Sequence, residues 1–253
     1  MIKIISKDKE KVSFATNMGD SLANAIRRSV LEIPILAIDE VEFFKNDSAL
    51  YDEIIAHRLG LIPLVTEKTF TEIEKCSCKG KGCSKCSVDL KIKAKGPCVV
   101  YSSALKGKAE IVYEKIPIVL LNEEQELELV ARARLGKGAE HIKFSPGLVY
   151  YRNAAEIKVD KECDDCKKCV EACPQKILKI ENKKAEIDTS KCDSCEACVE
   201  ACKRCGKSAI SLEKTNELIF FIESWGQIEA KDIFIKAIDK LSENLKELGK
   251  EIK

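Results

Sequence analysis

Nine cysteines lie between residues 163 and 205, in "CDDCKKCVEACPQKILKI" (163–180) and "CDSCEACVEACKRCGKSAISL" (192–212). So short a run cannot bury an ordinary apolar core, so it must be held by cross-links, either disulfides or metal. The N-terminal "MIKIISKDKEKVSF" alternates apolar and polar residues and lacks the uninterrupted apolar stretch of a signal peptide. Fourteen cysteines without an export signal point to metal sites in a cytoplasmic protein.

The spacing says which metal. Cys163, Cys166 and Cys169 stand two residues apart, Cys173 follows after three more, and Pro174 comes next. This is the bacterial cluster-binding run, in which three thiolates hold three irons of one cubane and the fourth crosses to a second cluster. The second run is Cys192, Cys195 and Cys198, then Cys202 and Cys205. Counting forward from Cys198 nominates Cys202 as its crossing ligand. Aligning "CPQKILKI" with "CGKSAISL" nominates Cys205, which this reading prefers. Two [4Fe-4S] clusters are therefore expected: one on Cys163, Cys166, Cys169 and Cys205 (or Cys202), the other on Cys192, Cys195, Cys198 and Cys173. Paired CxxC sequences also bind zinc, but two runs of three cysteines at successive i+3 steps are characteristic of iron–sulfur clusters.

A different site is encoded in "CSCKGKGCSKC". Cys76, Cys78, Cys83 and Cys86 can close a four-thiolate tetrahedron around zinc, leaving no position for a substrate, so the site would be structural. The remaining cysteine, Cys98, is expected as a small buried apolar residue.

The rest of the chain excludes more than it specifies. A net charge of +1 gives no case for wrapping nucleic acid or for attraction to a membrane, and no apolar run approaches membrane-spanning length. There is no P-loop, no G-x-S-x-G elbow and no dinucleotide fingerprint. His57 and His141, the only histidines, are expected to be structural. Residues 3–14 are expected as a strand, and a helix follows from Ser21 to Ile33. "ILAIDEVEFFKND" returns to strand, and "YDEIIAHRLGLIPL" forms a short helix. Strands are expected in "SVDLKIKAKGP", "CVVYSS", "IPIVLLNEEQELELVARARLGKG" and "ELIFFIESWG", and a long helix ends the chain. On that helix Phe234, Ile238, Leu241, Leu245 and Leu248 recur at steps of four, three, four and three, a narrow apolar seam. Two functions fit these features. The chain is an electron carrier fused to a docking domain, or a scaffold in which metal holds structure. The cysteine module interrupts a fold, and residues 159–213 hold eleven Lys and Arg against twelve Asp and Glu, with no one-signed face. Both points favour the scaffold.

"FATNMGDSLANAIRRSVLEIPILAIDEVEFFKNDSALYDEIIAHRLGLIPL" closely resembles the N-terminal segment of the D-subunit family of archaeal DNA-directed RNA polymerase. It is more distantly similar to the third-largest subunit of eukaryotic RNA polymerase II and to bacterial alpha. "IPIVLLNEEQELELVARARLGKGAEHIKFSPG" and "FFIESWGQIEAKDIFIKAIDKL" resemble later segments of the family in the same order. The resemblance implies an α+β architecture in three parts. Residues 1–45 and 214–253 would form a split, alpha-like dimerisation domain. Residues 46–158 would form an inserted α+β domain, and 159–213 a ferredoxin-like iron–sulfur domain. It further implies a non-catalytic assembly subunit that pairs with subunit L through Leu22, Ile26, Val30, Phe234, Ile238, Leu241 and Leu245. Small subunits N and P and the large catalytic subunits would be further partners, with no sequence-specific DNA contact and no membrane. The zinc loop matches the eukaryotic one in kind but has one extra residue between its second and third cysteines.

Overall fold

The structure is a computed structural model that describes residues 2–67, 69–79, 81–181, 184–188 and 191–252. Twelve strands and five α-helices are assigned among the described residues. The chain opens with β1 (Ile2–Lys7) and β2 (Lys11–Thr16), a hairpin rather than the single strand expected over 3–14. No glycine marks the turn. The Asp8 carboxylate accepts from the backbone N–H groups of Glu10 and Lys11 at 2.9 and 2.6 Å, the local bond by which aspartate initiates turns.

Helix α1 (Asp20–Ser29) passes into a 3-10 turn at Val30–Glu32, and Pro34 ends the segment, as the apolar spacing predicts. There follow β3 (Ile35–Asn46), α2 (Asp52–Gly60), β4 (Ser87–Lys95), β5 (Cys98–Tyr101), β6 (Lys106–Gly107), β7 (Pro117–Leu121) and β8 (Glu126–Gly136). Strands β3-β8-β4-β6 form one antiparallel sheet and β5-β7 a second. In β8 the even positions Glu128 and Arg132 are less buried than Leu127, Leu129, Ala131 and Ala133, the alternation of a sheet wet on one side. The inner face closes on α2 through Leu36, Ile38, Ile55, Leu59, Leu90 and Ile118.

Next come β9 (Gly147–Val159), α3 (Lys168–Glu171), β10 (Leu178–Glu181), β11 (Lys184–Ile187), α4 (Ala197–Arg204), β12 (Ile210–Ser224) and α5 (Ala230–Glu251). The four-stranded sheet β1-β2-β12-β9 brings the first residues of the chain beside a strand more than 200 positions later. Phe14 and Phe220 stack within it with ring centroids 5.3 Å apart, and Tyr150 stacks on Phe221 at 4.8 Å. The hairpin turn extends this pairing. Glu10 accepts from the N–H of Ser224 at 2.7 Å, Lys9 accepts from Ala230 at 2.9 Å, and Lys11 pairs with Glu223 at 3.1 Å. At Gly147 a Cβ would stand 2.1 Å from the Glu223 carbonyl oxygen, so only glycine permits that approach.

β3, up to residue 45 grouped with the termini, is bonded to β8 of the inserted sheet, whereas β9, grouped with the inserted domain, sits beside β12. Compact unit one comprises Met1–Lys7, Val12–Ala23 and Tyr150–Phe221; unit two comprises Asp8–Lys11, Asn24–Val149 and Ile222–Lys253. No helix among the described residues is long and apolar enough to cross a membrane.

Candidate metal centres

The cysteine module grows out of the sheet between two neighbouring strands. Trp225 N–H donates to the Pro146 carbonyl at 3.1 Å, and Asp160 N–H donates to the Ala209 carbonyl at 2.8 Å, so β9 and β12 run antiparallel, and the described cysteine loops follow from their far end.

The two halves of the module repeat one backbone device. Asp165 and Lys167 lie at φ 56° and 59°, and Ser194 and Glu196, at the matching positions between cysteines, lie at 59° and 60°. None is glycine. Left-handed residues in turns of this kind are a feature of anion-binding backbone nests. A short helix then starts in each half, α3 carrying Cys169 and α4 carrying Cys198.

The loops form two pockets, each lined from both halves. The first is lined by Cys163, Cys166 and Cys169 of one run and by Cys202 and Cys205 of the other. The second is lined by Cys192, Cys195 and Cys198 with Cys173. The cysteines expected in each set thus line one pocket, and both candidates for the disputed position line the first. Lys207 pairs with Asp164 beside the first cavity, holding that carboxyl below its ordinary range, and Gln175 reaches Asp193 at 3.5 Å beside the second. Cys163, Cys169, Cys198 and Cys202 pack with Leu178, Ile180, Ala209 and Ile210 in a small core. Burial pushes the Cys169 and Cys198 thiols above their ordinary pKa, so a bound metal must displace protons there. Donor type and lining from both halves fit cubane clusters.

The second centre is tighter. The sulfurs of Cys76, Cys78, Cys83 and Cys86 all lie within 4.8 Å of one another. Cys76–Cys83 and Cys78–Cys86 are 3.5 Å apart, and Cys83–Cys86 is 3.8 Å. A tetrahedron with metal–sulfur bonds of about 2.3 Å has edges of about 3.8 Å, so the four thiols suit a single ion. Lys79 and Gly82 at positive φ bend the loop, and the Cys83 N–H donates to the Cys86 sulfur at 3.3 Å. Burial resists ionisation of Cys78, but contacts with Cys76 and Cys86 pull its thiol down to about 7. Burial and its sulfur neighbours push Cys86 up to about 12. Cys98 is exposed on β5, not buried as expected.

The seven residues expected at a partner interface divide. Ile26 and Val30 are 4% and 3% exposed, buried inside this chain, whereas Leu22 is 50% exposed. On α5, Ala230, Ile233 and Ala237 supply the inward face. Ile238 and Leu245 are exposed, as is Leu248, while Phe234 and Leu241 lie half-buried between. His57 and His141 line a shared cleft with Asp39 and Lys143, and the His141 ring nitrogen accepts from the Lys143 N–H at 3.1 Å. Sequence reasoning missed a charged cluster there. Asp39 takes 2.6 Å bonds from both Arg134 and Lys143, whose cations also lie 5.1 Å from the Phe144 ring. Only the period-2 pattern of β3 and β8 could have signalled it.

Residues 38–160 match the family described as the RNA polymerase Rpb3/RpoA insert domain, and residues 155–203 match the 4Fe-4S dicluster domain. The chain is 36% identical over 256 residues to a protein of Archaeoglobus fulgidus named DNA-directed RNA polymerase subunit Rpo3, covering 98% of this chain and 96% of that one. It is 41% identical to the Rpo3 of Methanothermobacter thermautotrophicus (95% and 94% covered) and 36% identical to that of Thermococcus kodakarensis (91% and 89%). The chain belongs to the Rpo3 family of DNA-directed RNA polymerase subunits, and its cysteine module is of the iron–sulfur type.

Proposed function

We propose that the chain is a non-catalytic platform subunit that pairs with subunit L and then receives the large catalytic subunits and subunits N and P. The observation that carries this reading is the two-sided helix α5. Its inward face is filled by Ala230, Ile233 and Ala237, while Ile238, Leu245 and Leu248 stand in water. A seam at 3-4 spacing is what a second helix packs against, and Leu22 at the start of α1 offers a further exposed leucine. Ile26 and Val30 contribute by fixing α1 from inside. An obligate interface of this type buries more than about 2,000 Å². Size-exclusion chromatography of the chain with and without subunit L tests the proposal. A well-behaved monomer that ignores subunit L overturns it.

The metals serve folding in this reading. Two [4Fe-4S] clusters, held by Cys163, Cys166, Cys169 with Cys202 or Cys205, and by Cys192, Cys195, Cys198 with Cys173, replace the core that this insertion cannot build. One structural zinc on Cys76, Cys78, Cys83 and Cys86 does the same for its loop. Loss of clusters would disorder the module and weaken later assembly, coupling transcription to iron or oxygen supply. Replacing Cys163 and Cys166 by Ser tests this. The pair with subunit L should survive and enzyme assembly should suffer; normal yield and activity defeat the regulatory reading.

A second reading, electron transfer, draws on the exposure of Cys166 and Cys195, one at each cavity. Co-purification from native cells separates the two: polymerase subunits support the platform, an oxidoreductase supports the carrier.

A further inference from the structure

The second cavity is lined by four cysteines, but the first is lined by five. A cubane has four irons, each taking one protein thiolate, so one sulfur at the first cavity has no iron to bind. The two halves of the module show where the surplus arose. "CVEAC" occurs in both, at 169–173 and 198–202, which matches Cys202 to Cys173. Downstream, β10 starts five residues after Cys173 and β12 starts five residues after Cys205. The second half therefore holds three extra residues, Lys203, Arg204 and Cys205, and it duplicates the crossing position instead of moving it. α3 stops at Glu171, before Cys173, whereas α4 runs through Cys202 to Arg204, and Cys205 caps it. Cys202 and Cys205 are three apart across this helix end and so project to the same side.

We propose that Cys202 is the resident fourth ligand of the first cluster and that Cys205 is a reserve ligand, able to take the same iron when Cys202 cannot. This rests on the two-cluster reading above. The two thiols sit differently. Cys202 is buried in the small core with Cys163 and Cys169, whereas Cys205 is half-exposed and its thiol donates to the Ala201 carbonyl at 3.2 Å. The match to the dicluster family also ends at residue 203, taking in Cys202 and leaving Cys205 out. Cys205 is nevertheless kept at hand. Lys207, two residues on, lines the same cavity and is tied to Asp164 of the opposite run. Exchange of one thiolate for the other moves no electrons: Cys205 loses its proton as it takes the iron, and the departing Cys202 sulfur gains one.

The test uses the full chain purified without oxygen. Iron and acid-labile sulfide are counted per chain, EPR spectra are taken after dithionite reduction, and alkylation by iodoacetamide is mapped by peptide mass spectrometry. Exposed Cys98 is the internal reference for labelling. The proposal expects Cys205 to label alongside Cys98 while Cys202 stays protected, and Cys205→Ser to keep wild-type iron and spectrum. Cys202→Ser should keep its iron but show shifted g values, and the double variant should lose about half the iron. Loss of half the iron in Cys205→Ser makes Cys205 the resident ligand and overturns the proposal. Loss of as much iron in Cys202→Ser as in the double variant removes the reserve role. Wild-type protein without iron and sulfide refutes the two-cluster reading itself, an outcome separate from either.

Discussion

Asp160 donates its backbone N–H to the carbonyl of Ala209 at 2.8 Å, closing the last rung between β9 and β12 before the chain departs into the cysteine loops. The module therefore hangs from a ladder that is complete without it. Antiparallel strands whose ends meet can be joined by a two-residue turn. Replacing residues 161–208 by Asn-Gly should leave a folded protein with β-sheet circular dichroism, cooperative melting and no bound iron. An aggregated or molten product would show that the module holds the sheet up rather than hanging from it.

The exposed and inward faces of α5 should respond oppositely to mutation. Ile233→Ala opens a cavity behind a fully buried side chain and should cost about 2–4 kcal/mol in chemical denaturation. Leu245→Glu, on a 59% exposed residue, should change the stability of the isolated chain by no more than about 0.5 kcal/mol. It should nonetheless abolish co-elution with subunit L. Unimpaired co-elution would place the partner surface elsewhere.

At the four-thiolate loop, Cys86→Ala should lower the midpoint of thermal unfolding and abolish retention of one zinc per chain, measured by atomic emission. Cys98→Ala, on exposed β5, should do neither. Because coordinated thiolates must shed their protons, zinc retention should fall as the buffer is acidified below about pH 6. Retention that does not vary with pH would argue against thiolate ligation.

Asp39 gives a pH signature. Burial acts to raise its carboxyl pKa, but hydrogen bonds from Lys143 and Arg134 outweigh burial and hold it below the ordinary carboxylate value. The folded pKa is thus below the unfolded value of about 3.9. The stabilisation is fully present above that pH and disappears as pH falls through the folded value. Asp39→Asn should be less stable than the parent by about 1–3 kcal/mol at pH 7, with the gap narrowing toward pH 2. A gap that is constant with pH would assign the loss to packing.

Much of this was legible in the sequence where one physical signal dominates. Cysteine spacing carried the iron–sulfur character of the module and grouped the cysteines that line each pocket, because cluster geometry tolerates few spacings. Strand β8 announced itself by alternation, while β3, β4 and the closing strand read as strand-like segments. The misses have local causes. The β1–β2 turn hides because Asp8 takes the role usually filled by glycine. β9 was not expected because "YYRNAAEI" mixes half-buried Tyr151, Arg152 and Asn153 with buried Ala154 and Ala155, which blurs the period of two. Leu22, Ile26 and Val30 share one stripe in sequence, yet only the last two are covered by the chain itself. Periodicity marks an apolar face without saying what covers it.

The four left-handed residues between the cysteines have a consequence for how the protein is made. Asp165, Lys167, Ser194 and Glu196 each occupy a region that costs an L-residue roughly 1–2 kcal/mol. Emptied loops would relax to cheaper conformations, and refilling must then climb back against that preference. Loading and unloading should consequently follow different paths, with hysteresis: iron offered while the loops are first being shaped enters readily, and iron offered to a relaxed chain enters slowly.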